Sequence, residues 1–315
     1  MDHLLTLDGL SSSEIAQLFN QTRLMKRARA ASQPVSPVLA GKTVALLFEK
    51  PSLRTRVSFE VAARELGATS LYLSPQEVGL GTRESVADVA RVLSGYVHAI
   101  VLRTFSHATA EEFARYASVP VINGLTDAHH PCQGLTDLYT ITEQFGSAEG
   151  RVLAYVGDGN NVAHSLIQAA VKCGMHVRIA TPAGYEPDAS LLALAQAEAV
   201  ATGTRLTLTT DPQLAVEGAD VVYTDVWTSM GQEQEITTRR AIFAPYQVND
   251  ALLAHAASHA IVMHPLPAHR GEEVTDAVLD GPRSRVFVQA ENRLHVQKAI
   301  LRALAAAEER ITLTA

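Results

Sequence analysis

The chain is short of several features that mark whole classes of protein. It has only two cysteines in 315 residues, Cys132 and Cys173. They cannot build a disulfide framework or a Cys-rich metal site, and they fit a reducing compartment. No apolar run approaches the ~20 residues of a membrane span. The opening Met-Asp-His-Leu-Leu-Thr-Leu-Asp lacks a basic region followed by an apolar one, so the chain reads as cytoplasmic, with no membrane partner. Positive charge is in deficit: 26 Lys and Arg against 33 Asp and Glu leave a net charge of −7. No predicted face gathers lysines and arginines, which argues against a nucleic-acid partner. Pro/Ser-rich linkers, low-complexity tracts and short-period repeats are absent as well.

What the chain does have is apolar sequence in short, regularly spaced segments. Hydrophobic residues make up 47%, enough for substantial cores, and the length exceeds a usual single core, which predicts two domains of roughly 150 residues. Ser11-Ser12-Ser13-Glu14 precedes Ile15, Leu18, Phe19 and Met25, a capped amphipathic helix. Strands are expected at 43–48, 69–73, 99–103 and 119–123, with helices after 52, over 84–93 and over 110–116. A connecting helix at 135–145 leads to a break at 146–150. The alternation restarts with strands at 152–156, 176–180, 205–208, 220–224 and 260–264, a helix near 162–171 and an Ala-rich final helix from about 290 to 309. Alternation of this kind predicts two doubly wound parallel α/β halves.

In such sheets ligands bind beyond the carboxyl ends of the strands. The first strand runs into Lys50-Pro51-Ser52-Leu53-Arg54-Thr55-Arg56, a strand-loop-helix junction. Pro51 breaks regular structure, Ser52 is a good N-cap, and the free N–H groups of the next turn attract anions. Arg54 adds a fork that matches phosphate geometry, and Ser52 and Thr55 add uncharged donors. Taken alone, Ser-x-Arg-Thr also describes an ordinary capped helix. Later strands end at Arg103-Thr104, at His129-His130-Pro131-Cys132-Gln133, at Gly157-Asp158-Gly159-Asn160-Asn161, at Asp225-Val226-Trp227-Thr228-Ser229-Met230-Gly231 and at His264-Pro265-Leu266-Pro267. Polar groups thus gather along one edge of each half.

The first half offers arginines, hydroxyls, an imidazole and an amide. It has no nucleophile paired with a base and no Asp/His metal cluster, so it suits a phosphorylated substrate held by charge and hydrogen bonds. The second offers Asp225 with Asn161 and Ser229, groups suited to the amine and carboxylate of an amino acid. Gly157-Asp158-Gly159 superficially resembles a dinucleotide loop. However, Val162 stands where the third glycine belongs and no acidic residue ends the next strand, which counts against a nicotinamide-linked dehydrogenase.

Together, Ser-Leu-Arg-Thr-Arg at 52–56, Arg103-Thr104, His130-Pro131-Cys132-Gln133, Asp225 with Ser229-Met230-Gly231, and Glu291-Asn292-Arg293 resemble the transcarbamylase family, and its ornithine carbamoyltransferases most of all. The resemblance runs over nearly the whole chain. It implies a carbamoyl-phosphate domain at 1–146, completed by the C-terminal helix at 290–315, and an ornithine domain at 147–289, joined by two helices. It also implies a homotrimer, or a multiple of trimers, with sites at subunit interfaces and no metal or organic cofactor. Carried over position by position, it assigns Ser52, Leu53, Arg54, Thr55 and Arg103 to the phosphate of carbamoyl phosphate. His130, Gln133 and Arg293, with Thr55, are assigned to the carbamoyl group; Asn161, Asp225, Ser229 and Met230 to ornithine; and the Pro265-Leu266 backbone to the reacting amine.

Three positions depart from the family pattern. Leu53 replaces a Thr but keeps its backbone N–H. Gly79 stands where a Gln or His usually reaches the neighbouring subunit's phosphate, and Arg83 is the nearest cation on that loop. Pro265 replaces a Cys, giving a His-Pro-Leu-Pro that resembles the aspartate enzymes. Against an aspartate substrate, Asp225 would repel a side-chain carboxylate. Putrescine, N-acetylornithine and aspartate remain the alternative acceptors, a catalytically silent relative is the reading outside enzymes, and the direction of the reaction stays open.

Overall fold

The computed structural model of the protein describes residues 2–229 and 231–312, with side chains as far as 304. Two compact units form, one from Met1–Leu135 with Glu291–Ala315 and the other from Thr136–Ala290. The chain passes between them inside two helices, Pro131–Phe145 and Val286–Thr312. No helix of the described residues is long and apolar enough to cross a membrane.

The first unit opens with the helix Ser12–Ala30. Ser11 caps it: its side chain accepts from the Glu14 N–H at 3.2 Å, and the Glu14 carboxylate accepts from the Ser11 N–H at 2.9 Å. This reciprocal box satisfies donors that a helix start otherwise leaves open. Four strands follow, β1 (Thr43–Phe48), β2 (Thr69–Leu73), β3 (Ala99–Arg103) and β4 (Val121–Leu125). They form one parallel sheet in the order β2-β1-β3-β4. Both β1 and β3 are buried almost end to end, as expected of strands covered on both faces. Their register aligns Phe48 with Arg103, and beyond the ladder the Glu49 N–H still bonds the Arg103 carbonyl at 2.8 Å. Thus β1 and β3 end level, and the order in which strands are added to the sheet reverses between them, the crevice where sheets of this type bind ligands.

In the second unit β5 (Val152–Val156), β6 (His176–Ala180), β7 (Leu206–Thr209), β8 (Val221–Tyr223) and β9 (Ile261–Met263) form a parallel sheet in the order β7-β6-β5-β8-β9. Its switch point lies between β5 and β8. One core cluster packs Val156, Val222, Val262, Val248, Leu253 and Val286 on one side of this sheet.

Several boundaries differ from the sequence reading for physical reasons. β4 begins at Val121 rather than 119 because Pro120 has no N–H for the ladder; its carbonyl still accepts from Ile100. The connecting helix starts at Pro131, four residues early, since proline is well suited to a first helical turn. The final helix starts at Val286. The helix Ala189–Ala201 was not anticipated: its Ala- and Leu-rich sequence carries almost no apolar stripe, and only Asp188, which accepts from the Ser190 and Leu191 N–H groups, marks its start.

Candidate active site

The helix Leu53–Glu65 begins directly beyond β1, with the Ser52 hydroxyl accepting from the Thr55 N–H at 3.2 Å. This cap sets the first turn so that Thr55 is buried and Arg54 half-buried, while the Leu53 side chain is 74% exposed and its N–H stays with the helix start. Arg103, the last residue of β3, and His130, just before the helix Pro131–Phe145, are both buried. Arg293 reaches the same place from the final helix. Its Nη1 donates to the Gln133 Oε1 at 2.6 Å and its Nη2 to the Thr55 hydroxyl at 3.1 Å.

Three guanidinium groups therefore converge. Burial, and then the charges of Arg293 and Arg54, push Arg103 down to about 10. Burial, and then Arg293, Arg103 and Arg54, hold the His130 imidazole well below its ordinary value, so it is neutral and can donate a hydrogen bond without adding charge. Three guanidinium groups brought this close together favour an anion. Cys132, in the same turn, is no nucleophile: burial pushes its thiol up to about 12, and its sulfur donates to the Asn123 carbonyl. Lys50 was not singled out in the sequence although it lies inside the motif. It is buried, its Nζ lies 4.2 Å from the centre of the Phe105 ring, and burial and Arg103 lower its pKa.

Gly79 and Arg83 form a separate turn. Gly79 is left-handed, with φ of 61°, after the short helix Pro75–Val78, and a Cβ there would lie 2.7 Å from the Arg83 Cβ. The Arg83 guanidinium donates to the Glu77 carbonyl at 3.3 Å on an exposed loop.

In the second unit Asp225 follows β8 and is buried, which raises its pKa; His264 nearby, an Asn160 hydrogen bond and the Val226 N–H oppose that rise, and Glu273 adds to it. Asn160 Nδ2 donates to Asp225 Oδ2 at 2.8 Å, while its Oδ1 caps the helix Asn161–Lys172. Asn161 is the first residue of that helix, and Ser229 lies half-buried in the loop past β8, its N–H bonded to the Gln232 side chain. That loop is anchored by Arg239, which is buried, donates to the Trp227 carbonyl, pairs with Asp158 at 2.6 Å and stacks near the Tyr185 and Phe243 rings. Met230 lies outside the described residues. Beyond β9, Leu266 has a left-handed φ of 59° and its N–H donates to His264 Nδ1 at 2.9 Å, next to Pro265.

Comparison with known proteins adds the decisive observation. Residues 2–143 match the family model described as aspartate/ornithine carbamoyltransferase, carbamoyl-P binding domain, and residues 149–304 match its Asp/Orn binding domain. The chain belongs to the aspartate/ornithine carbamoyltransferase family. An ornithine carbamoyltransferase of Acidothermus cellulolyticus is 53% identical over 95% of each chain. One from Pyrococcus furiosus, described as anabolic, is 52% identical over 95% of this chain and 94% of its own. The solved structure of a Pyrococcus furiosus ornithine carbamoyltransferase matches with a TM-score of 0.93 at 52% identity, covering 95% of each chain. The carbamoyltransferase models divide the polar groups: the first covers the Arg54, Arg103 and His130 cluster, and the second covers Asp225 and the turn around Leu266. Arg293 falls within the second model's span yet packs with the first unit. Residue type alone does not single out Asn160, although two adjacent asparagines at a helix start mark the position: the first, not Asn161, bonds Asp225.

Proposed function

We propose that the protein transfers the carbamoyl group of carbamoyl phosphate to the δ-amine of L-ornithine, giving L-citrulline and phosphate. The observation that carries this reading is the cluster of Arg54, Arg103 and Arg293 around a neutral His130, in a family member whose other unit buries a carboxylate, Asp225. Ser52, the Leu53 N–H, Arg54, Thr55 and Arg103 hold the phosphate. His130, Gln133 and Arg293 orient the carbamoyl group. Asn161 takes the ornithine carboxylate, Asp225 and Ser229 the α-ammonium, Met230 is assigned to ornithine by family pattern alone, and the Leu266 carbonyl in its left-handed turn faces the amine.

The chemistry is addition and elimination. The neutral δ-amine attacks the carbamoyl carbon, and the C–N bond forms. Arg54, Thr55 and His130 stabilise the resulting oxyanion, the C–O bond to phosphate breaks, and the departing phosphate takes the amine proton. Preorganised donors and approximation supply the rate enhancement. No step calls for a cofactor. Domain assignments follow the two sites: carbamoyl phosphate to 1–146 with 290–315, ornithine to 147–289. We further propose a cytoplasmic homotrimer or multiple of trimers, in which Arg83 serves the next subunit's phosphate in place of the missing Gly79 side chain. If so, Arg83→Ala raises the KM for carbamoyl phosphate; an unchanged KM removes Arg83 from the site.

The test is a product assay with carbamoyl phosphate and a panel of amines. A site that hydrogen-bonds a polar group rejects analogues lacking it by about 10⁴-fold. L-ornithine should therefore exceed putrescine, N-acetylornithine and aspartate in kcat/KM by a wide margin. A better rate with any of those three overturns the acceptor assignment.

A further inference from the structure

The turn from His264 to His269 is held from beneath by one carboxyl group. Glu273 is completely buried, and its Oε1 accepts from the His264 ring Nε2 at 3.1 Å and from the His269 N–H. One oxygen thus grips both ends of the turn. Its Oε2 makes no hydrogen bond among the described residues. A buried carboxyl with half its acceptor capacity unused does not favour stability, which points to a role in the turn it holds.

The role follows from the ring between them. His264 Nδ1 accepts from the Leu266 N–H at 2.9 Å, so the ring proton sits on Nε2 and is donated to Glu273. The backbone of His264 is fixed separately: its N–H donates to Gln289 Oε1 at 3.0 Å, and Gln289 Nε2 donates to Asp137 Oδ1 at 2.7 Å. Leu266 needs such support because a branched side chain at a φ of 59° is in a conformation that L-residues avoid. If Nδ1 carried the proton instead, it would repel the Leu266 N–H. Glu273 therefore selects the imidazole tautomer that keeps Leu266 left-handed. Glu273 also acts electrostatically on Asp225, raising its pKa.

We infer that Glu273 is a positioning residue for the acceptor half of the reaction, acting through His264 to fix the backbone that Leu266 presents to the attacking amine. This rests on the proposed carbamoyl transfer, and the two can fail separately. Wild-type protein is assayed first: transfer to an amine other than ornithine overturns the acceptor reading, and the comparison below then uses the amine that wild type prefers.

Glu273→Leu should lower kcat/KM for the acceptor by ~10²-fold, the scale of a small misplacement of reacting groups, while leaving the KM for carbamoyl phosphate as in wild type. Glu273→Gln keeps an oxygen acceptor for the ring and should recover most of the loss. Equal damage in both variants, no damage in the first, or a parallel rise in the carbamoyl-phosphate KM would overturn the inference. Long-range ¹H–¹⁵N spectra of wild-type protein give a reading that depends on no variant folding: His264 must be protonated at Nε2, and protonation at Nδ1 alone ends the proposal.

Discussion

Asn160 binds Asp225 and the helix that follows it with one side chain. Its Nδ2 donates to Asp225 Oδ2 at 2.8 Å, and its Oδ1 accepts from the Val162 and Ala163 N–H groups at 3.0 and 3.1 Å. The cap fixes the amide, and the fixed amide aims the carboxylate.

Two substitutions separate these roles. Asn160→Ala removes cap and aim together, costing about 1 kcal/mol of stability and raising the KM for ornithine. Asn160→Asp keeps a capping oxygen but sets a second carboxylate against Asp225. It should therefore hold its melting temperature better than the alanine variant while binding ornithine worse. Steady-state kinetics with thermal melts decide this; an ornithine KM lower in Asn160→Asp than in Asn160→Ala would refute the aiming role.

Arg293 ties Gln133 to Thr55 through two different nitrogens. Arg293→Lys offers a single point donor that cannot satisfy both. The expected loss in kcat is about 10²-fold or more, the scale of one missing oxyanion donor, with little change in the ornithine KM. A loss appearing mainly in the ornithine KM would place Arg293 elsewhere.

His130 stays neutral in the fold because burial and three guanidinium groups oppose its protonation. The unfolded imidazole, with a pKa near 6.5, takes up a proton that the folded one refuses. By the sign of that difference, this group's contribution to stability is full above pH ~6.5 and is lost as pH falls below it. Folded protein at pH 6 should show a neutral His130 by ¹⁵N imidazole shifts. A midpoint above 6 would remove the basis for a neutral donor in the site.

Asp158 runs the other way from most carboxylates. Burial raises it to about 6 even though Arg239 opposes the rise. The native protein then holds a proton between roughly pH 4 and 6 that the unfolded chain releases, so stability falls with rising pH across that window and levels off above it. Urea unfolding at a series of pH values should show Asp158→Asn removing this decline. An unchanged slope between wild type and variant would contradict it.

Much of this molecule could be read from residue types. Alternation of buried strands and helices predicted both sheets, because β1 and β3 are continuous apolar runs whose character does not depend on what packs on them. Arg54, Thr55 and Arg103 were recoverable because strand ends face the crevice by construction. Arg293 was harder: residue type says nothing about a final helix returning to β1, and only family resemblance supplied it. Asn160 and Glu273 were passed over for a shared reason. Each works through another side chain, and such indirect roles depend on hydrogen-bond geometry that spacing along the chain does not encode. Lys50 was hidden by its neighbours, since a lysine beside Pro51 reads as solvated until its burial is seen.

The return of the final helix also orders events in time. Ribosomes deliver the chain from its N-terminus, and domains generally fold as they emerge. Here residues 1–135 emerge first, yet Thr55 and Gln133 are both bonded by Arg293, and Glu65, besides its pair with Arg29, is bonded by Lys298 at 2.7 Å. The whole of the second unit must be synthesised before either arrives. A nascent chain can therefore carry a formed first sheet whose Thr55 and Gln133 still lack Arg293, and the cluster is completed only as translation closes.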